Sequence, residues 1–344
     1  MRAAFLLLGL GGCLLVAGVV RANPVGGAAS GVPPGPGRGF PEPGPWVSFY
    51  GSVEKAGSLP ALAARFRIFN IDADPGLSNF SPEDIAVLKA GGRNRVISYL
   101  NVGACEAFRD YHKQVPARFV SCKANLRAHR GRYDGYPDET WMDVSNPDYQ
   151  KLIVEYVAVR LARTGVDGFY LDNLEIVEHG ERTTNGPCGD RCRQGGLELV
   201  ARLRAAFPQH LIVMQNATSA VTRRGKTAAG PYPELLDGVA HESVFAPELD
   251  TQALEQMKAW KAMNLTPGGR PFFLGVEDYV GSCRATAKAQ KVYRLIREQG
   301  FSPYVADASA GQQQICLWSF DMPGRRGPGR RLPPPKAAGQ PAKK

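Results

Sequence analysis

An α/β fold of the (β/α)8 type, one TIM barrel between unstructured Pro/Gly-rich ends, is what this sequence predicts, and three observations carry it. Eight short β-rich runs alternate with helix-patterned stretches between residues 46 and 320. Their number and span suit one barrel of eight strand–helix units. The stretch after the first run, "FYGSVEKAGS", is not the Gly-x-Gly-x-x-Gly phosphate turn expected of a doubly wound open sheet.

In order, the runs are "WVSFYG" (46–51), "RIFNID" (67–72), "RVISYLNVG" (95–103) and "DGFYLDN" (167–173). "LIVMQNA" (211–217), "GVAHESVF" (238–245), "PFFLGVED" (271–278) and "FSPYVAD" (301–307) follow. Their Val, Ile, Phe and Tyr content fits strands covered on both faces. The clearest helix is 146–164. Asn146 can cap it and Pro147 suits its first position. Leu152, Ile153, Tyr156, Val157 and Val159 form its apolar stripe, and Gly165 stops it. Ser81 and Pro82 open a second pattern at 81–90, and others cover 195–207, 250–263 and 284–299.

The ends have a different character. Residues 1–22 follow the plan of a cleaved export signal: Arg2, an apolar stretch, then Val20-Arg21-Ala22. An uncleaved membrane anchor and a lipidated Cys13 are the alternatives. Residues 23–45 read as a disordered Pro/Gly-rich linker and 321–344 as a basic low-complexity tail. The tail has seven Lys/Arg against one Asp, so it holds most of the formal charge of +10. The folded part is nearly neutral, which argues against nucleic acid as a partner. The tail has the charge to touch an anionic cell surface, although a solvated end is the plainer expectation. After the signal, Cys105, Cys122, Cys188, Cys192, Cys283 and Cys316 remain. An even count in an exported chain favours disulfides and a secreted or periplasmic location. Cys188 and Cys192 share the polar insertion "NGPCGDRCRQGG", which a bond between them would staple; zinc there lacks neighbouring ligands.

Such a barrel carries its functional groups at the carboxyl ends of its strands. Those ends supply Tyr50, then Asp72 and Asp74, Asn101 and Glu106, Asp172 and Asn173. Asn216, Glu242, Glu277 with Asp278, and Asp307 come from the second half. Side chains alternate along a strand, so Tyr170 and Asp172 share one face and Phe169 and Leu171 the other. The apolar pair belongs under the helices, which leaves Tyr170 and Asp172 facing the lumen. The same reasoning turns Asn70, Asp72, Tyr99, Asn101, Ala240 and Glu242 inward.

Strands four and six lie two apart, so Asp172 and Glu242 can meet across the upper lumen. Two carboxylates so placed suit glycosidic-bond cleavage, one attacking carbon or activating water, the other protonating the leaving oxygen. The five His show no H-x-H or HExxH spacing, and there is no G-x-S-x-G elbow. No metal and no cofactor are therefore expected; an acidic ring holding Mg²⁺ or Ca²⁺ is the competing reading. Tyr50, Tyr99, Tyr111, Trp141, Tyr170, Tyr279 and Trp318 lie at or just past strand ends, where rings can stack on sugars. Acids outnumber bases there, so an amino-sugar polysaccharide would be attracted and a uronic or sulfated one repelled. Asp74 reads as a turn former, Glu175 and Glu178 as solvated loop charges, and Asp307 as partner of an Arg. A non-catalytic carbohydrate-binding barrel is the alternative of another class, and a monomer is expected.

The segments "ISYLNVGACEAFRDY" (97–111), "WMDVSNPDYQKLI" (141–153), "GVDGFYLDNLE" (165–175), "LIVMQNA" and "GVAHESVF", in that order, resemble glycoside hydrolase family 114. These are endo-α-1,4-polygalactosaminidases, related to hydrolase domains of bacterial exopolysaccharide systems. The resemblance spans 46–320 and implies a barrel that cleaves internal α-1,4 bonds of galactosamine-rich, partly de-N-acetylated polymers. It makes Asp172 in "YLDN" the nucleophile and Glu242 in "HES" the general acid/base. Asp72, Tyr99, Asn101, Glu106, Asn173 and Asn216 match positions expected to line sugar subsites. With Tyr50, Tyr170 and Asp278 from the strand ends they complete the expected substrate-binding set. "NVGACE" departs from the usual Ser-Val-Gly-Glu type of sequence, and the insertion at 179–196 lengthens the loop beside Asp172. Another α-linked sugar is the alternative substrate.

Overall fold

The computed structural model describes residues 31–42 and 44–321. The expected export signal, the start of the expected linker and the expected tail beyond Asp321 lie outside the described residues. The eight runs form eight strands: β1 (Trp46–Phe49), β2 (Ile68–Ile71), β3 (Arg95–Asn101) and β4 (Gly168–Asp172). β5 (Leu211–Gln215), β6 (Gly238–Glu242), β7 (Phe273–Val280) and β8 (Ser302–Asp307) complete the set. Each pairs in parallel with the next in sequence. β1 and β8 come side by side to close the barrel, and the Trp46 indole donates to Ser302 O at 2.9 Å.

The alternation read from the sequence holds. Tyr170 packs in the lumen with Trp46, which also meets Phe273 and Tyr304. Phe169, Leu171 and Val239 join the core beneath the helices. Helix ends follow their capping residues. Asn146 Oδ1 accepts the Tyr149 N–H at 3.0 Å, and Ser81 and Asp84 form a reciprocal capping box before Pro82–Lys89. The helix expected at 195–207 begins earlier, at Asp190, where the Cys188–Cys192 bond ties down its first turn.

Two features differ from expectation. Residues 31–42 and 44–45, read as part of a disordered linker, lie across the amino ends of the strands. Phe40 is 1% exposed against Phe273, Arg38 pairs with Asp237 at 3.1 Å, and the Gly37 N–H donates to Gln209 O. Gly39 has φ +74°, and a Cβ there would stand 2.5 Å from Pro267 O. The glycine that looks like disorder in composition is here the means of close approach.

The second feature lies between β3 and the helix over 147–163. There the chain forms an antiparallel layer of Ala104–Glu106, His129–Tyr133 and Tyr136–Met142. It borders the carboxyl end of the barrel. Cys105–Cys122 and Cys283–Cys316 complete three disulfides, which fit an oxidising compartment. Among the described residues no helix is long and apolar enough to cross a membrane.

Candidate active site

Three successive strands end in left-handed backbone: Asn173 (φ 59°) after β4, Asn216 (φ 60°) after β5 and Ser243 (φ 55°) after β6. Outside glycine this conformation is uncommon, and Asn tolerates it best. The chain turns away sharply and leaves the final strand side chain at the mouth. Gly103 lets the loop after β3 lie flush on β4, since a Cβ would fall 1.7 Å from Asn173 O. The result is a cleft of about 520 Å³ lined by six acids and one cation, Arg109.

Asp172 and Glu242 both line it. Asp172 Oδ2 accepts the Tyr99 hydroxyl at 2.9 Å. Glu242 Oε1 accepts the Tyr279 hydroxyl and, at 3.0 Å, the Gln312 amide. Its Oε2 has only the Asn216 amide at 3.4 Å, while Asn216 Oδ1 accepts the Glu242 N–H at 3.0 Å. Burial, and after it the charge of Glu242, pushes Asp172 up to about 7. Glu277 stands beside Glu242 in the β6–β7 register, fully buried. Burial first, then Glu242, drives it well above the carboxylate range.

Arg109 organises one wall. Its Nε meets Glu106 Oε2 at 2.8 Å, and its Nη1 meets Asp72 at 2.9 Å and Asp74 at 3.4 Å. Burial still pushes Glu106 up to about 7, against the pull of that guanidinium. Glu139, from the antiparallel layer, accepts amide N–H groups of Asn101 at 3.1 Å and Asn173 at 2.9 Å.

Of the expected substrate-binding residues, Tyr50, Asp72, Tyr99, Glu106, Asn173 and Asn216 line the cleft. Three stand behind it. Tyr170 is fully buried among the lumen aromatics. Asp278 accepts the Phe245 and Ala246 N–H groups and so holds the loop after β6. Asn101 orients Glu139 and accepts the Ala104 N–H. Among the rings expected at the mouth, Tyr279 lines it, whereas Tyr111, Trp141 and Trp318 are buried. Strand alternation says which way a residue points, not how high it stands in the lumen.

The acids read as structural sort differently. Asp74 shapes its turn by accepting the Gly76 N–H and also binds Arg160 at 3.1 Å. Asp307 accepts N–H groups of Cys283 and Ser309 instead of an Arg. Glu178 accepts the Ser219 N–H, and Glu175 lines the cleft, so neither is a solvated loop charge. Sequence reasoning missed Glu139, Tyr133 and Tyr136, which sit on the unforeseen layer. It also missed Arg109 and Gln312, whose loops gave no signal. Among the described residues, the one close group of possible metal ligands, Cys283, Asp307 and Cys316, is a disulfide beside a hydrogen-bonded carboxylate.

A parallel (β/α)8 barrel with an acidic, aromatic cleft at its carboxyl end is the frame of a barrel hydrolase. The profile of glycoside-hydrolase family GH114 matches residues 48–319, and the chain belongs to that family; it is a glycosidase of this kind. The glycoside hydrolase domain of PelA from Pseudomonas aeruginosa is similar in fold, at 18% identity and TM-score 0.58 over 79% of this chain and 96% of that one. A glutamate-to-alanine variant of that domain superposes alike, at 17% identity and TM-score 0.57, with the same coverage. No curated protein matches the chain.

Proposed function

We propose that the protein is a secreted endo-acting hydrolase of α-1,4-linked, partly de-N-acetylated galactosamine polymers, with Asp172 and Glu242 as its carboxylate pair. The observation that carries this reading is the placement of both acids at lumen-facing strand ends of one cleft, each with its own donors. In the proposed mechanism Glu242 is the general acid and delivers a proton to the leaving glycosidic oxygen from Oε2, the oxygen with only a long amide contact. Asp172 is then ionised under the Tyr99 hydroxyl and attacks the anomeric carbon. Six acids against one committed cation favour an amino-sugar chain over an anionic one. Three disulfides support action outside the cytoplasm.

The test uses Asp172→Asn and Glu242→Gln. Product analysis on partly de-N-acetylated α-1,4-galactosamine polymer should show losses of roughly 10²–10⁴ in each. Full activity in either variant removes that residue from the mechanism.

A further inference from the structure

Six large apolar side chains stand well exposed among the described residues, and two of them are aromatic: Phe108 at 56% and Tyr136 at 57%. Singly exposed apolar residues are ordinary on a protein surface. What sets these two rings apart is that both line the cleft.

Each ring is fixed from behind. The Arg109 guanidinium lies 4.9 Å over one face of Phe108 and is itself held by Glu106 and Asp72. Tyr136 pairs with Tyr133 across the tip of the hairpin in the antiparallel layer, their centroids 4.8 Å apart. Tyr133 in turn stacks on buried Trp141 at 4.2 Å. Asn185, in the insertion after β4, ties this unit down. Its Oδ1 accepts the Trp141 indole N–H at 2.5 Å and the Asp134 N–H, at the hairpin tip, at 3.2 Å. Burial, then the charges of Glu242 and Asp172, push the Tyr136 hydroxyl up, so it lies within the field of the carboxylate pair.

A pyranose hydroxyl seeks hydrogen bonds, but the C–H face of the ring has none to make and packs instead on a rigid, open aromatic face. We infer that Phe108 and Tyr136 are the sugar-stacking platforms of the cleft, with Asn185 as the positioning residue that holds Tyr136 at its height. Tyr136 takes the sugar unit at the carboxylate pair, and Phe108 takes a unit on the Arg109 side. Two platforms grip two units of one chain, which favours polymer over short substrate. This rests on the reading of Asp172 and Glu242 as the point of cleavage. It does not rest on the amino sugar, because a C–H face reads ring shape and not the amine.

The experiment measures kcat and KM of the intact protein, Phe108→Ala, Tyr136→Ala, Asn185→Ala and Asn185→Asp on α-1,4-galactosamine polymer and on its disaccharide. Both rings are more than half exposed, so their removal spares the fold. Each should raise KM for the polymer about 5- to 50-fold, as for one ring's worth of buried apolar contact. With Phe108→Ala, kcat on the polymer should stay within about 3-fold, and the disaccharide should lose less than the polymer. Asn185→Ala should raise KM about 2- to 10-fold, and Asn185→Asp, which keeps the acceptor, should restore it. An unchanged KM in both ring variants, or a fall in kcat alone, overturns the platforms. If the galactosamine polymer is not cleaved, the substrate proposed above fails. The same variants are then read by calorimetry on whichever glycan the intact protein binds from a panel of α-linked polymers. Weaker binding in the ring variants supports the platforms there, and equal binding, or binding to no glycan, overturns them.

Discussion

Tyr99→Phe removes one hydroxyl and little else. The ring keeps its edge contact with Tyr50 at 5.0 Å and its place under the Arg109 guanidinium at 5.4 Å. What goes is the 2.9 Å donation to Asp172, plus a longer contact of 3.3 Å to Glu106. A hydrogen bond to the charged form of an acid lowers its pKa, so losing it raises the pKa. Such a bond to a carboxylate is worth about 1.5–3 kcal/mol, which is about 1–2 pH units at 1.36 kcal/mol per unit. Asp172 already stands near 7. If it reacts as a carboxylate, the acid limb of the kcat profile should move up by about 1–2 units. At pH 6 the variant should then turn over about 10- to 100-fold more slowly than wild type, with the gap narrowing above the shifted limb. A pH series on soluble oligosaccharide measures this. A limb that stays put, or moves to lower pH, would mean that Asp172 does not act ionised.

Two further perturbations probe stability. Asp172 stands near 7 in the folded chain against about 4 unfolded, so folding favours its protonated form. The stability this contributes is complete below about pH 4 and lost as pH rises through 7. Asp172→Asn should therefore melt higher than wild type at pH 8 and little differently at pH 4; equal shifts at both would contradict the burial argument. Phe40→Ala should destabilise by about 3–5 kcal/mol in urea titration, because the ring is 1% exposed against Phe273. Activity at low temperature should survive, since Phe40 lies at the end of the barrel opposite the cleft. An unchanged midpoint would show that the segment is not part of the fold.

Much of the architecture was legible because it is written in local periodicity. "GFYLD" sends Tyr170 and Asp172 inward and Phe169 and Leu171 outward whatever the rest of the chain does, since strand alternation is a property of the backbone. Asn146-Pro147 and Ser81-Pro82 likewise announce helix starts through orphan amides that must find acceptors. The candidate pair followed from these rules plus the count of strands. Long-range contact sets what they could not reach. Glycines at 35–39 look disordered until Gln209, Pro267 and Asp237 are brought beside them.

The same division runs through the site. Composition and alternation alone determined a barrel with acids at its mouth, Asp172 and Glu242 among them. Tertiary structure decided which acids are served by donors and which are not. It hid Tyr170 and Asp278, consumed Asp72 and Glu106 in the Arg109 clamp, and brought Glu139 and Tyr133 from a distant layer to stand near Glu175. A carboxylate's charge, accessibility and reach depend on neighbours contributed from far along the chain, and those contacts exist only after the barrel has closed.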